Sequence, residues 1–283
     1  MSGWGPERRR AAVTISFDNL GEVTELQRGE WPADEPIGRH FSVTRVLPRV
    51  LALLEQIDLR ATFFVEGLNT KLYPGTLVEV DAAGHEVAYH GWCHEPWAEL
   101  SPSREAELLR RGVSAMGALG LRPQGFRPPG GRLTGGSATA LRDLGFAYCS
   151  PAGRGLGVGQ GIAILPFQWG MLDAYHYLPR FGRLRERDHG AADVLPPSRF
   201  RATLDAGLRA AVEEGTHLSM VFHPFLAEPE ERFDVMSRAL AAIRRLVDDE
   251  VLWCVPYRDL AASIRAATDE GAFEPLALDA TAA

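Results

Sequence analysis

A chain of 283 residues, 46% of them hydrophobic, holds enough apolar material for a sizeable core, as one large barrel or two modest domains. Its net charge of −7 and pI ≈ 5.7 exclude a protein that coats nucleic acid or an anionic membrane through bulk charge. Cys93, Cys149 and Cys254 are odd in number and lack CxxC spacing, which argues against a disulfide framework or a cysteine-built zinc site. No apolar run reaches the roughly 18 residues a spanning helix needs. The apolar stretch after Arg8, Arg9 and Arg10 is interrupted at Asp18 with no small-residue cleavage site, so a cytoplasmic protein with no membrane partner is expected.

In chain order, residues 12–17 (AVTISF) are compact and β-branched, as a strand buried on both faces requires. A helix is predicted over 43–57, where Val46, Leu47, Val50, Leu51 and Leu54 share a face. A strand follows at 61–65 (ATFFV), a helix at 74–83 and a strand at 86–89 (EVAY). Ser101 and Pro102 read as an N-cap and first-turn proline of a helix to Leu119. The alternation continues through GF at 125–126, a helix at 137–144, FAYC at 146–149 and IAILPF at 162–167. It ends with a helix at 198–214, HLSMVF at 217–222, a helix at 230–247 and VLWCV at 251–255. No linker or repeat divides the chain, so residues 1–283 are read as a single domain with peripheral termini. Strand–helix alternation indicates a mainly parallel sheet, closed or open. Neither GxGxxG nor GxxxxGK[ST] occurs, which removes support from nucleotide-binding sheets and favours a barrel.

Polar residues fall at the strand ends. Asp18 and Asn19 follow the first strand, His90 follows EVAY, Arg127 follows GF and His223 follows LSMVF. In parallel β/α folds these ends converge on one rim, where catalytic groups cluster. One such residue would be unremarkable; an acid, a guanidinium and imidazoles on successive strands make hydrolytic machinery. His90 and His94 are four apart, so a helical turn or tight loop can turn both to one metal, although HxxxH alone is a weak signal. His85, after Gly84, reads as a structural turn residue.

These residues resemble the polysaccharide deacetylase (NodB-homology) family in motif order over most of the chain. TISFDN is similar to the first motif, whose strand ends in a catalytic and a metal-binding aspartate. ATFFV is similar to the second strand, HGWCHE to the metal motif, FRPPGG to the motif whose arginine holds the catalytic aspartate, and VFHP to the motif of the acid histidine. The HGxxHE form and PFQWGMLDAYHYLP resemble the branch of intracellular deacetylases, allantoinases and cyclic-imide hydrolases. The resemblance implies an α/β fold, a distorted (β/α) barrel with fewer than eight strands, and an assembly of identical subunits.

The resemblance further implies Asp18 as general base, Arg127 as its cationic partner, and His223 as the acid that protonates the departing nitrogen. Asp173 is expected either to orient His223 or to pair with Arg127. Trp169, Pro129 and Tyr89 are the expected substrate contacts, with backbone N–H groups near Tyr89–His90 or the metal at the oxyanion. His90, His94 and Asn19 are the implied ligands of a divalent metal, zinc by the family's habit. Asn19 stands where the family has an aspartate; its amide oxygen can ligate but offsets no charge, so the site would hold zinc more weakly, with Glu22 or Glu95 as alternative ligands. The expectation is a hydrolase of a non-peptide C–N bond in a small amide or N-acetyl compound, with metal-assisted deacetylation leading. Its rivals are a metal-independent amidohydrolase and a non-catalytic family member that binds a carbohydrate or a partner. The loops at 20–40 and 151–160 are expected to set the substrate.

Overall fold

Eight consecutive buried residues, Ala11–Asp18, form β1 at the middle of the sheet. Its odd-numbered members Val13, Ile15 and Phe17 pack outward with Val46, Leu47, Val50 and Leu54 of the segment that precedes and forms the helix Leu47–Gln56. The even-numbered Ala12 joins a second, inner cluster with Phe64, Ala88, Tyr148 and Tyr257. The two-residue period of a strand therefore separates a helix-facing layer from a barrel lumen. Thr14, Ser16 and Asp18, on the same face as Ala12, bring polar groups into that lumen.

The structure is a computed structural model and describes residues 3–269. The remaining strands are β2 (Thr62–Val65), β3 (Glu86–Tyr89), β4 (Gly125–Phe126), β5 (Tyr148–Cys149), β6 (Gly157–Gly159), β7 (Ile162–Ile164), β8 (His217–Phe222) and β9 (Leu252–Cys254). They run in the order β6-β7-β5-β4-β3-β2-β1-β8, with β9 paired to β1. Every pairing is parallel except the β6–β7 hairpin. The class expected from sequence holds: an open, curled β/α barrel. The resemblance implied fewer than eight strands; the described residues form nine, the eight strand-like runs of the sequence and β6, whose Gly157–Gly159 carries no apolar pattern.

Register sets the rim. Phe17 is level with Phe63 on one side and Phe222 on the other, and Val65, Tyr89, Phe126 and Cys149 pair in turn. The next residue along each strand is therefore Asp18, His223, Glu66, His90, Arg127 and Ser150, all at one end of the sheet. Gly125 is required in β4 because a Cβ there would sit 1.8 Å from Cζ of Tyr148.

The opposite end is closed by the N-terminal segment. Trp4 is buried and its indole N–H donates to the Gly215 carbonyl at 2.8 Å. The helix Tyr257–Asp269 packs on β6 and β7 and places Tyr257, Leu260, Ala261 and Ile264 in the inner cluster. The expectation of a peripheral C-terminal tail falls almost wholly outside the described residues. No helix among the described residues is long and apolar enough to cross a membrane.

Candidate active site

Arg127 is the hub of the rim. It is 1% exposed, and its Nη1 donates to Asp18 Oδ1 at 2.7 Å and Ser16 Oγ at 2.8 Å. Nη2 donates to Ser150 Oγ at 3.0 Å and Tyr257 Oη at 2.9 Å, and Nε to Ser150 Oγ at 3.3 Å. The guanidinium also lies over the Phe64 ring, 4.0 Å from its centroid. Burial by itself would lower its basicity, but the charge and hydrogen bond of Asp18, together with Tyr257 and Tyr148, outweigh this and its pKa is raised. A buried cation so fully hydrogen-bonded has little freedom, so it holds Asp18 in one orientation.

A second dyad faces the same space. His223 Nδ1 meets Asp173 Oδ1 at 2.6 Å, and the His223 backbone N–H donates to Asp173 Oδ2 at 2.7 Å. Asp173 opens the helix Asp173–Tyr177 and also accepts from the Ala174 N–H. Of the two roles left open for Asp173, the geometry selects the histidine. A carboxylate accepts, so Nδ1 carries the hydrogen and Nε2 is the nitrogen left for chemistry.

His90 follows β3, and its Nδ1–H donates to the Arg127 carbonyl at 2.7 Å. Burial pushes its pKa down to about 3, so the ring is neutral and its Nε2 holds a lone pair. His94 returns beside it through a loop, not a helical turn: Gly91 and His94 both have positive φ, 77° and 63°. The two rings meet edge to face, 5.0 Å between centroids. Glu95 holds this loop by accepting from the Trp92 and Cys93 N–H groups at 2.9 and 3.1 Å.

A cavity of ≈ 150 Å³ lies between these groups, lined by Asp18, Asn19, His90, His94, Arg127 and His223 with an aromatic wall of Phe167, Trp169 and Phe181. Several sequence expectations change here. Tyr89 is not a wall residue: its side chain is fully buried and its hydroxyl donates to the Leu108 carbonyl, because it precedes the rim by one residue and faces the helices. Pro129 lines a neighbouring depression with Gln27, Arg28 and Glu95. The His90 N–H donates to the Val65 carbonyl, so it is not a free oxyanion donor. The 151–160 segment forms β6 in part, and its Ala152–Arg154 stretch lines another cavity. The sequence reading missed Ser16, Ser150 and Tyr257, which hold Arg127, and Arg28, Phe167, Arg180 and Phe181 on the wall. Only Tyr257 had a legible signal, as the start of a helical apolar pattern with Leu260 and Ile264.

The expected metal ligands share this wall, but as a set they do not fit a divalent cation. Asn19 directs its Nδ2 to Glu66 Oε1 at 2.5 Å and Thr24 Oγ1 at 3.0 Å, leaving only an amide oxygen. Glu22 is taken by the Tyr73 hydroxyl and the Gly38 N–H, and Glu95 by its own loop. Among the described residues no three His, Cys, Asp or Glu side chains come together as a metal site. Two neutral imidazoles and an amide supply no charge to offset a dication.

The sequence profile for polysaccharide deacetylase matches residues 8–149. The peptidoglycan deacetylase-like protein FGM2 of Gibberella zeae is 30% identical over 150 residues, 50% of this chain and 44% of that protein. The chain therefore spans less than half the length of this curated relative. A Mycobacterium smegmatis structure described as a polysaccharide deacetylase superposes with a TM-score of 0.81 at 22% identity, covering 97% of this chain and 95% of that one. PuuE allantoinase superposes with a TM-score of 0.73 at 18% identity, covering 93% and 92%. At these identities the structural likeness carries the fold.

Proposed function

As the chain belongs to the polysaccharide deacetylase family, we propose that it hydrolyses a non-peptide C–N bond, of the amide, N-acetyl or cyclic-imide type, in a small molecule. One observation carries the reading: the Asp18–Arg127 and Asp173–His223 pairs face a single small cavity with an aromatic wall. Asp18 takes a proton from water as the new C–O bond forms. His223 supplies a proton to nitrogen as the C–N bond breaks, and Asp173 steadies the imidazolium form. Trp169 and Phe181 exclude water from one side of the carbonyl. The neutral His90 Nε2 accepts a hydrogen bond from a substrate N–H. A cavity of ≈ 150 Å³ is well below the roughly 300 Å³ at which pockets begin to enclose drug-sized ligands, which favours a small substrate. The free thiols Cys93 and Cys254 accord with an intracellular setting.

A second reading, zinc-assisted deacetylation, has only the adjacent neutral imidazoles of His90 and His94 in its favour, since the described residues bring no charged third ligand to them. One experiment separates the two. Protein purified without added metal is assayed for zinc and for release of acetate or ring-opened acid from N-acetyl sugars and cyclic imides, before and after chelation. Activity that survives chelation, and that Asp18→Asn abolishes, supports the metal-independent reading. Activity lost on chelation and restored by zinc supports the second, and no hydrolysis of any probe overturns both.

A further inference from the structure

Arg28 ends the helix Val23–Arg28, and Arg180 lies in the turn Pro179–Phe181. They are 152 positions apart, yet both line the cavity that holds Asp18, His223 and Trp169. Among the described residues neither makes an ion pair or a side-chain hydrogen bond with a carboxylate; Arg39, Arg110 and Arg122 share that, but of these only Arg28 and Arg180 line the cavity, where Arg127 is already paired with Asp18. In a chain with 37 acidic and 30 basic residues, carboxylates are plentiful. Two guanidinium groups on one wall without one leave a like-charge repulsion that an anion would relieve.

We propose that Arg28 and Arg180 form an anion subsite, so that the substrate is a small amide or imide carrying an oxyacid group, carboxylate or phosphate, beside its scissile carbonyl. The inference rests on the hydrolase reading for the reaction, but the anion site stands on its own geometry. The helix C-terminus offers Arg28 a weaker electrostatic reason for its place, but it gives Arg180, on a separate turn, no reason to join the same wall. Both side chains are solvent-exposed at the cavity mouth, yet the charges act on one another: partial desolvation, then the Arg28 charge, pushes the Arg180 pKa down to about 10, and Glu30 only partly offsets this from a distance. A neighbouring anion would reverse that effect. Asp18 is occupied by Arg127 and Asp173 by His223, so neither catalytic carboxylate neutralises the pair. The cavity is small, so the anionic group and the amide must belong to one compact molecule. Guanidinium forks suit planar carboxylates and phosphates alike, and the test separates these.

Calorimetry on the intact protein would compare N-acetylglycine with N-acetylglycinamide, and N-acetylglucosamine 6-phosphate with N-acetylglucosamine, alongside assays of acetate release from all four. At least one anionic compound is expected to bind about 10- to 100-fold more tightly than its neutral twin, the worth of a hydrogen bond to a charged group. Arg28→Gln and Arg180→Gln are each expected to bring that ratio towards one, and added salt to weaken it. The pair that shows the preference identifies carboxylate or phosphate. Equal binding of both twins in both pairs, or a preference that survives the double substitution, overturns the subsite. An anionic preference with no acetate released from any compound leaves the subsite standing and removes the hydrolase reading. Hydrolysis of the neutral compounds with no anionic preference does the opposite.

Discussion

Asn19 donates from Nδ2 to Glu66 Oε1 across 2.5 Å, at the position where the family resemblance leads one to expect a metal-binding aspartate. Burial pushes the Glu66 carboxyl up to about 8, against the partial offset of hydrogen bonds from Asn19 and Thr24. Asn69 adds a third contact, from Nδ2 to Oε2 at 3.0 Å. An amide at residue 19 therefore matches a buried acid behind it, and a carboxylate there would meet another.

Asn19→Asp is expected to destabilise the protein by about 1–3 kcal/mol, because a buried hydrogen bond becomes a carboxylate–carboxylate contact. The loss should grow from pH 6 to pH 8.5 as Glu66 ionises, and adding Glu66→Gln should recover much of it. Denaturant unfolding of the two single variants and the double variant measures this coupling. Equal losses at both pH values would separate residue 19 from the Glu66 charge.

Arg127→Lys removes the fork that reaches Ser16, Asp18, Ser150 and Tyr257 together. Breaking a buried ion pair costs about 3–5 kcal/mol, and the conservative change should approach that figure because a lysine cannot span all four partners. Hydrolysis should fall at least about 100-fold as Asp18 loses its fixed orientation. Thermal unfolding and steady-state rates on one N-acetyl probe would show both effects.

Asp173→Asn keeps the size of the side chain but only one of the two oxygens that accept from the His223 and Ala174 N–H groups, so one local hydrogen bond is lost while the fold should survive. The amide no longer steadies a charged imidazole, and kcat should fall by about 10²- to 10⁴-fold with KM little changed. A change confined to KM would remove Asp173 from the acid's machinery.

His85 is buried, and its Nδ1 accepts from the Ala61 N–H at 3.2 Å, a bond only the neutral ring can make. Burial, then the charges of Arg60 and Arg258, push its pKa down to about 4. The unfolded chain takes up a proton near pH 6.5 while the folded one does not until about pH 4, so stability is full above 6.5 and falls through that window. Each such proton contributes a slope of up to about 1.4 kcal/mol per pH unit. His85→Gln should lower stability at pH 7 but make it fall less steeply between pH 7 and pH 5, as read by denaturant unfolding. Glu66 works in the opposite sense, its stabilisation lost as pH rises from about 4.5 through 8, so the comparison between variant and parent isolates the histidine.

The order of strands and helices, and the identity of the rim residues Asp18, His90, Arg127 and His223, were legible in the sequence. Burial on both faces writes an apolar run into each main strand, and the chain changes character where that run ends. The fold class follows from that alternation, since parallel strands need crossover helices. Tertiary structure alone decided the partners. Arg127 meets Ser16, Ser150 and Tyr257, Asn19 meets Glu66, and Arg28 joins Arg180 on one cavity wall through strand register and loop path, which bring together residues from 23 to 152 positions apart. No local pattern encodes such pairings, because each side chain by itself is an ordinary polar residue. The same reason moved Tyr89 from the expected wall to the core: one residue along a strand reverses the face, and only the register shows where the rim begins.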